Sequence, residues 1–237
     1  MSDLFDDIAK NHVPAEPEFE DLPPKVWCLG TTATDENGGW APGVGKVGDP
    51  EKNYWQFKVG LRCVGGEEGK IEKKHENKFC GYSTFVLPSE EYDKPEAIIS
   101  GRFAGFLNVV FSVGIGDEED LKTKEGKEAR RQARWNNTIE ALRKVSKDKG
   151  LSLSDYEAVT ENPEHNKAIF IAGLAVAALE GEARTLLFKT KLGKPFERDG
   201  AEVQNVECGA VEDATEGQRV KRKIMNLETG EAAGSTF

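Results

Sequence analysis

Residues Tyr54 to Val64, YWQFKVGLRCV, alternate without a break. Trp55, Phe57, Val59, Leu61 and Cys63 fall on one side, and Tyr54, Gln56, Lys58, Gly60, Arg62 and Val64 on the other. A period of two puts successive side chains on opposite faces of a strand. The first set is wholly apolar and is expected to pack on a core. The second mixes an aromatic ring, two cations and a glycine. That composition suits a surface that stacks bases and holds phosphates, and it also suits an ordinary solvated strand face.

The same patterning predicts the other elements. Lys25 to Thr34 reads as a first strand, and residues 35–53, rich in glycine and holding Trp40, Lys46 and Lys52, as a long loop. After the anchor strand, Gly65–Gly66 reads as a turn. A third strand follows within 71–88, bent at Gly81, with Lys73, Lys74, Phe79 and Tyr82 along it. The period then changes to 3.6. Ile99, Phe103, Phe106, Leu107, Val110 and Val113 predict a helix over 97–113 with Gly114 as its C-cap. Trp135, Ile139, Leu142 and Val145 predict a second over 127–149, with Arg130, Arg131 and Arg134 on its other faces. Ser154 and Glu157 form a candidate capping box. Residues 167–179, apolar nearly all round, predict a buried helix. Strand patterning returns over 184–192, where Leu186, Phe188, Thr190 and Leu192 oppose Leu187, Lys189 and Lys191. A hairpin turn at Asp199–Gly200 leads to a last strand over 201–210, and the apolar pattern is lost beyond it.

Three strands, a helical insert and two strands is the order of an OB-fold. The expected class is therefore α+β: a five-stranded OB-fold-like Greek-key barrel over residues 25–210, with a large helical insert at about 97–180 between strands 3 and 4. Residues 1–24 read as an acidic flexible arm and 211–237 as a flexible C-terminal tail. The arm is expected to compete electrostatically with a ligand for a basic groove.

Composition narrows the function classes. The net charge of −10 argues against nucleic acid until its distribution is considered. Residues 1–24 hold seven acids and one lysine, and residues 207–237 six acids and four bases, so a near-neutral body of 29 acids and 27 bases lies between them. Such a body can carry a local basic groove. No apolar run approaches the roughly 20 residues of a membrane span, and the opening MSDLFDDIAK is acidic where a secretory leader is basic. A cytoplasmic protein with no membrane contact is expected. Dispersed Cys28, Cys63, Cys80 and Cys208 read as buried free thiols.

Catalytic and metal chemistry find little support. GVGKV is not a phosphate loop, because Trp40 stands where its first glycine belongs and Val47 where its Ser or Thr belongs. Asp117, Glu118, Glu119 and Asp120 could bind metal but suit the positive end of a helix dipole better. Cys63, His75 and Cys80 lack zinc-ligand spacing, and His12 and His165 lie in loops. No nucleophile–base pairing is evident. No enzyme activity and no cofactor are expected.

In an OB-fold, strands 2 and 3 face the ligand and the loops between strands 1–2 and 4–5 clamp it. Those segments here hold Trp40, Lys46, Lys52, Tyr54, Lys58, Arg62, Lys73, Lys74, Phe79 and Tyr82, and Lys189 and Lys191 lie on the strand that leads into the second clamp. These residues form the candidate nucleic-acid-binding set, since single-strand binding needs stacking rings beside cations. The rival is a protein-interaction or virion structural module on the same barrel, without nucleic-acid binding.

The chain also resembles phage-encoded single-stranded DNA-binding proteins. The resemblance lies in an acidic arm ending in DLPPKVW, a Gly/Lys-rich loop into YWQFKV, a helix ending in VGIG, and the hairpin LLFKTKLGKPFERDGAEVQNV. It covers roughly residues 18–210 and rests on a loose pattern without a diagnostic motif. It implies a protein that coats single-stranded DNA during replication or recombination in the host cytoplasm, meets replication or recombination proteins through its termini, and can oligomerise. Many members close on an acidic tail ending in Phe. This chain ends in Phe237, but the preceding GEAAGST departs from that pattern.

Overall fold

The computed structural model describes residues 21–48, 54–89, 91–112, 123–198 and 201–231. The elements are β1 (Trp27–Thr32), β2 (Gly43–Lys46), β3 (Trp55–Glu67), β4 (Phe79–Phe85), α1 (Gly101–Phe111), α2 (Lys124–Lys149), α3 (Pro163–Gly181), β5 (Thr185–Leu192), β6 (Phe196–Arg198), β7 (Ala201–Val203), β8 (Val206–Asp213), α4 (Glu216–Lys221) and β9 (Ile224–Asn226). The protein is α+β. Its sheet runs β1-β5-β8-β4-β3-β2 and closes because β1 also pairs with β3. All of these pairings are antiparallel except β4 with β8, which meet in parallel at Gly81 and Glu207.

Closure depends on the length of β3. Its first half pairs with β2 and β4, and its second half with β1. Gly65 and Gly66, expected as a turn, lie inside this strand opposite Leu29 and Cys28. The reason is close approach. A Cβ on Gly66 would stand 2.9 Å from the Trp27 carbonyl oxygen, so only glycine admits the neighbouring strand there. The chain turns instead at Gly69, which takes the left-handed φ of 73°.

The core holds Phe57, Val59, Leu61 and Cys63 of β3, as their parity requires. Helix α1 packs on β4, β5 and β8. Ser100 caps it by accepting from the Phe103 backbone N–H, and Phe103, Phe106, Leu107 and Val110 are buried along one stripe. Their rings meet the sheet: Phe57 lies 5.2 Å from Phe103 and 5.3 Å from Phe106, and Tyr82 stacks on Phe106 at 4.6 Å. Helix α1 ends with Ser112 as its C-cap; the expected cap Gly114 and the acids 117–120 fall outside the described residues.

Helix α2 is long and charged, burying only Thr138 and Leu142. It is tied down by polar contacts: Thr138 Oγ1 donates to Asn108 Oδ1 at 2.8 Å, and Arg134 reaches the Asn108 carbonyl and, at 2.5 Å, Asp213. Helix α3 begins with Pro163 behind an Asn162 cap and packs against β2 and the 3-10 segment Asp35–Trp40. The capping box in the linker between α2 and α3 joins Ser152 and Asp155, two residues earlier than expected.

Three further departures concern the ends and the first loop. Residues 35–53, expected as loop, contain the 3-10 segment and the short edge strand β2. Leu22 is buried and the Pro23 carbonyl accepts from Thr190 Oγ1, so the end of the expected arm belongs to the body. Strand β8 runs to Asp213, past the expected end at 210, and α4 and β9 follow it. Ile224 is fully buried with Leu29, Val64 and Leu187 in a second, small cluster outside the barrel. That cluster explains why Val64 and Leu187 are apolar on faces expected to be wet. Residues 1–20 and 232–237 lie outside the described residues. Among the described residues, no helix is long and apolar enough to cross a membrane.

Two outcomes follow from this core. Phe57→Ala removes a ring packed on two others and is expected to lower stability by about 3–5 kcal/mol in denaturant titrations. All four cysteines are free and buried. Burial pushes the Cys208 thiol up to about 12 from an ordinary 9.0, and the Tyr82 hydroxyl up to about 12 from 10.0. Both native pKa values are raised, so their stabilisation is complete below about pH 9 and is lost as pH rises from there towards 12. Melting temperature is expected to hold level from neutral pH to about 9 and to fall above it, with Cys208→Ala flattening the fall.

Candidate nucleic-acid interface

Cross-strand pairs fix what the outer surface of β2, β3 and β4 displays, because partners in a ladder share a face. Lys58 pairs with Gly43 and Ser83, Gln56 with Gly45 and Phe85, Gly60 with Gly81, and Arg62 with Phe79. Four of these positions are glycine. They let other segments approach the sheet backbone closely, with large side chains at the two ends of the strip.

Trp40 occupies one end. The 3-10 segment Asp35–Trp40 is held by Asn37 Oδ1, which accepts from the Thr34 N–H at 2.8 Å, and Gly38 turns the chain with a φ of 57°. This places Trp40 over the Gly60–Gly81 pair. A Cβ on Gly60 would stand 2.7 Å from the Trp40 Cβ, and one on Gly81 3.7 Å from its ring. The indole stacks on Phe79 with centroids 5.3 Å apart and planes inclined by 14°. Trp40 is 42% exposed, so it covers the sheet while offering part of its ring to solvent. Tyr54 and Phe85 form a second pair at the other end, 5.6 Å apart, and are 48% and 53% exposed. Exposed Lys58 and half-buried Arg62 lie along the strand between and beside these pairs. A shallow depression of about 230 Å³ runs past Trp40, Lys58, Gly60, Gly81 and Ser83 to Glu207.

The face thus brings together Trp40, Tyr54, Lys58, Arg62 and Phe79 from the expected set. Lys191 reaches its border, 3.3 Å from Glu207, the β8 partner of Gly81. Other members lie elsewhere. Tyr82 is corrected: it is 2% exposed, stacked on Phe106, with the Arg102 guanidinium 5.7 Å above its ring. Phe79 and Tyr82 are three residues apart, so a strand must send them to opposite faces. Lys46 pairs with Trp55 and belongs to that residue's side of the ladder. Lys73 and Lys74 lie in the 3-10 turn Lys73–His75, with Lys73 2.5 Å from Glu76 and Lys74 3.6 Å from Glu72. Lys189 stands opposite Trp27 and Ala210, beside the β1–β5 seam. Lys52 lies outside the described residues.

Phe85, Gln56, Ser83 and the glycine strip are additions. Their signal was parity: counting by twos from Phe79 gives Gly81, Ser83 and Phe85. Among the described residues, no group of three or more His, Cys, Asp or Glu side chains could hold a metal ion. No protein-family model matches the chain, and no curated protein or solved structure was found to be significantly similar to it.

The seat of Trp40 is directly testable. Gly60→Val is expected to expel the indole and leave the fold intact, because the space it fills lies on the outer face. Indole NMR of the four tryptophans should show one shifted resonance, the same one that Trp40→Phe removes. An unshifted spectrum would contradict this placement.

Proposed function

We propose that the protein binds single-stranded DNA with little sequence preference through the outer face of β2, β3 and β4. The observation that carries this reading is the arrangement of that face. Two aromatic pairs, half-buried Phe79 under partly exposed Trp40 and the exposed pair Tyr54–Phe85, stand at the ends of a glycine-lined strip beside Lys58 and Arg62. Rings stack any base, and cations hold any phosphate, so such a face discriminates strandedness better than sequence. A duplex hides its base faces and cannot use the rings.

The barrel supports the same reading. Taking β1, β3, β4, β5 and β8 as five main strands, their order around the barrel is first, second, third, fifth, fourth and back to first. We assign this to the OB-fold, a five-stranded Greek-key barrel whose second and third strands carry the ligand. Here those are β3 and β4. The loop holding Trp40 joins the first strand to the second, and the β6–β7 hairpin joins the fourth to the fifth. Coating of single strands during replication or recombination follows as the biological role, in the host cytoplasm if the chain is phage-encoded. The reading assigns no catalytic step.

Fluorescence anisotropy with oligo(dT), oligo(dA) and duplex tests this function. Single strands should bind well above duplex, with affinity falling steeply as salt rises, since each neutralised phosphate releases a counterion. Tyr54→Ala is expected to cost about 1–3 kcal/mol of binding. Lys58→Ala and Arg62→Ala should each lower affinity and reduce the salt slope by about one. None of the three should move the melting temperature much, because these side chains are largely outside the core. Equal affinity for duplex, or no salt dependence, would refute the reading.

A further inference from the structure

A second basic surface lies away from the aromatic face. A cleft of about 500 Å³ separates α2 from the end of β8 and α4. Lys127, Arg130, Arg131, Arg134, Lys221 and Arg222 line it. Only two acids stand among them, and both are already engaged: Asp213 with Arg134, and Glu212 with Arg222. Lys127, Arg130, Arg131 and Lys221 make no ion pair with a described residue, so four cations of this concavity lack a carboxylate partner among the described residues. The Nε atoms of Arg130, Arg134 and Arg222 are buried with no acceptor among the described residues. Buried donors without acceptors are costly, and an anion with several oxygens would satisfy them. The lining holds no aromatic side chain, so the cleft can grip charge but cannot stack bases.

Its position singles out the anion. Strand β8 borders both sites: Glu207 closes the depression beside Trp40, and Val211–Asp213 floor the cleft. Five residues of strand separate Glu207 from Glu212, roughly 17 Å at about 3.3 Å each. That is about five nucleotides at the ~3.4 Å spacing of a stacked strand. Exposed Arg102 lies on α1 three residues before Gly105, which lines the cleft, and three-residue spacing puts both on one side of the helix. We propose that this cleft is a second, base-independent site for the phosphodiester backbone of single-stranded nucleic acid, taking up the strand after it leaves the aromatic face. The inference rests on the function proposed above and extends it: affinity should grow with strand length through contacts on the helical insert.

The test is anisotropy with labelled oligo(dT) of about 6 and about 16 nucleotides, spanning the range one barrel is known to cover. It compares the full chain with Arg130→Glu/Arg131→Glu and with Lys127→Ala/Lys221→Ala. The second variant alters only exposed side chains, so it reports even if the first is unstable. Wild type should bind the longer strand at least about tenfold more tightly, and each variant should remove most of that gain, reduce the salt slope by about two and leave the shorter strand unaffected. If the shorter strand binds while both variants keep wild-type affinity and slope on the longer one, the cleft inference is wrong and the aromatic face stands. If wild type binds neither strand, both fall together. Loss of long-strand binding in the variants with no short-strand binding in wild type would keep the cleft and refute the aromatic face. Binding of poly-glutamate at the cleft, undisplaced by the longer oligo(dT), would assign the surface to an acidic protein and overturn the proposal.

Discussion

The constraint on which the structure depends is that one strand, β3, must satisfy four neighbours at once. It pairs with β2 and β4 over its first half, and with β1 and β9 over its second. Closure of the barrel, burial of Phe57, Val59, Leu61 and Cys63, and display of Lys58 and Arg62 follow from that one element. A slip of one residue would exchange the two faces and destroy core and surface together. Glycine makes the multiple pairing possible. Gly65 and Gly66 admit β1 and β9, while Gly60 makes room for Trp40.

The helical insert contributes to both sides of the barrel. Helix α1 adds Phe103 and Phe106 to the core, drawing Tyr82 inward. Helix α3 packs against β2 and the segment carrying Trp40, so the edge of the outer face is braced from behind. Helix α2 is held through Leu142, Trp135 and Val145 on the core and through Arg134 and Thr138, with Lys127, Arg130, Arg131 and Arg134 lining the cleft. A large insert therefore does more than cover hydrophobic surface: it also lines the basic cleft beside β8 and packs on the segment carrying Trp40.

Much of this was legible in the sequence because it depends on local period. The alternation of β3, the stripe of α1 and the apolar run of α3 each name a core face without further information. What could not be read depends on partners distant in the chain. Gly65–Gly66 look like a turn until β1 and β9 are known to press against them. Ile224 looks like part of a tail until it covers Leu29, Val64 and Leu187. Composition groups Tyr82 with Phe79, although strand parity separates them; knowing that β4 starts at Phe79 resolves it. Lys73 and Lys74, expected along the third strand, lie instead in a 3-10 turn with Glu76 and Glu72 within reach of them. The Trp40 position was the least predictable, because an indole on a pair of glycines requires three segments to meet.

The central claim is that bases stack on the outer face of β2, β3 and β4. Photo-crosslinking of an iodouracil-substituted single strand, followed by mass spectrometry of the peptides, tests it most directly. The account predicts crosslinks at Trp40, Tyr54, Phe79 or Phe85, suppressed by high salt. Efficient crosslinking that avoids all four rings, for instance confined to Phe196 on the β6–β7 hairpin, would contradict it.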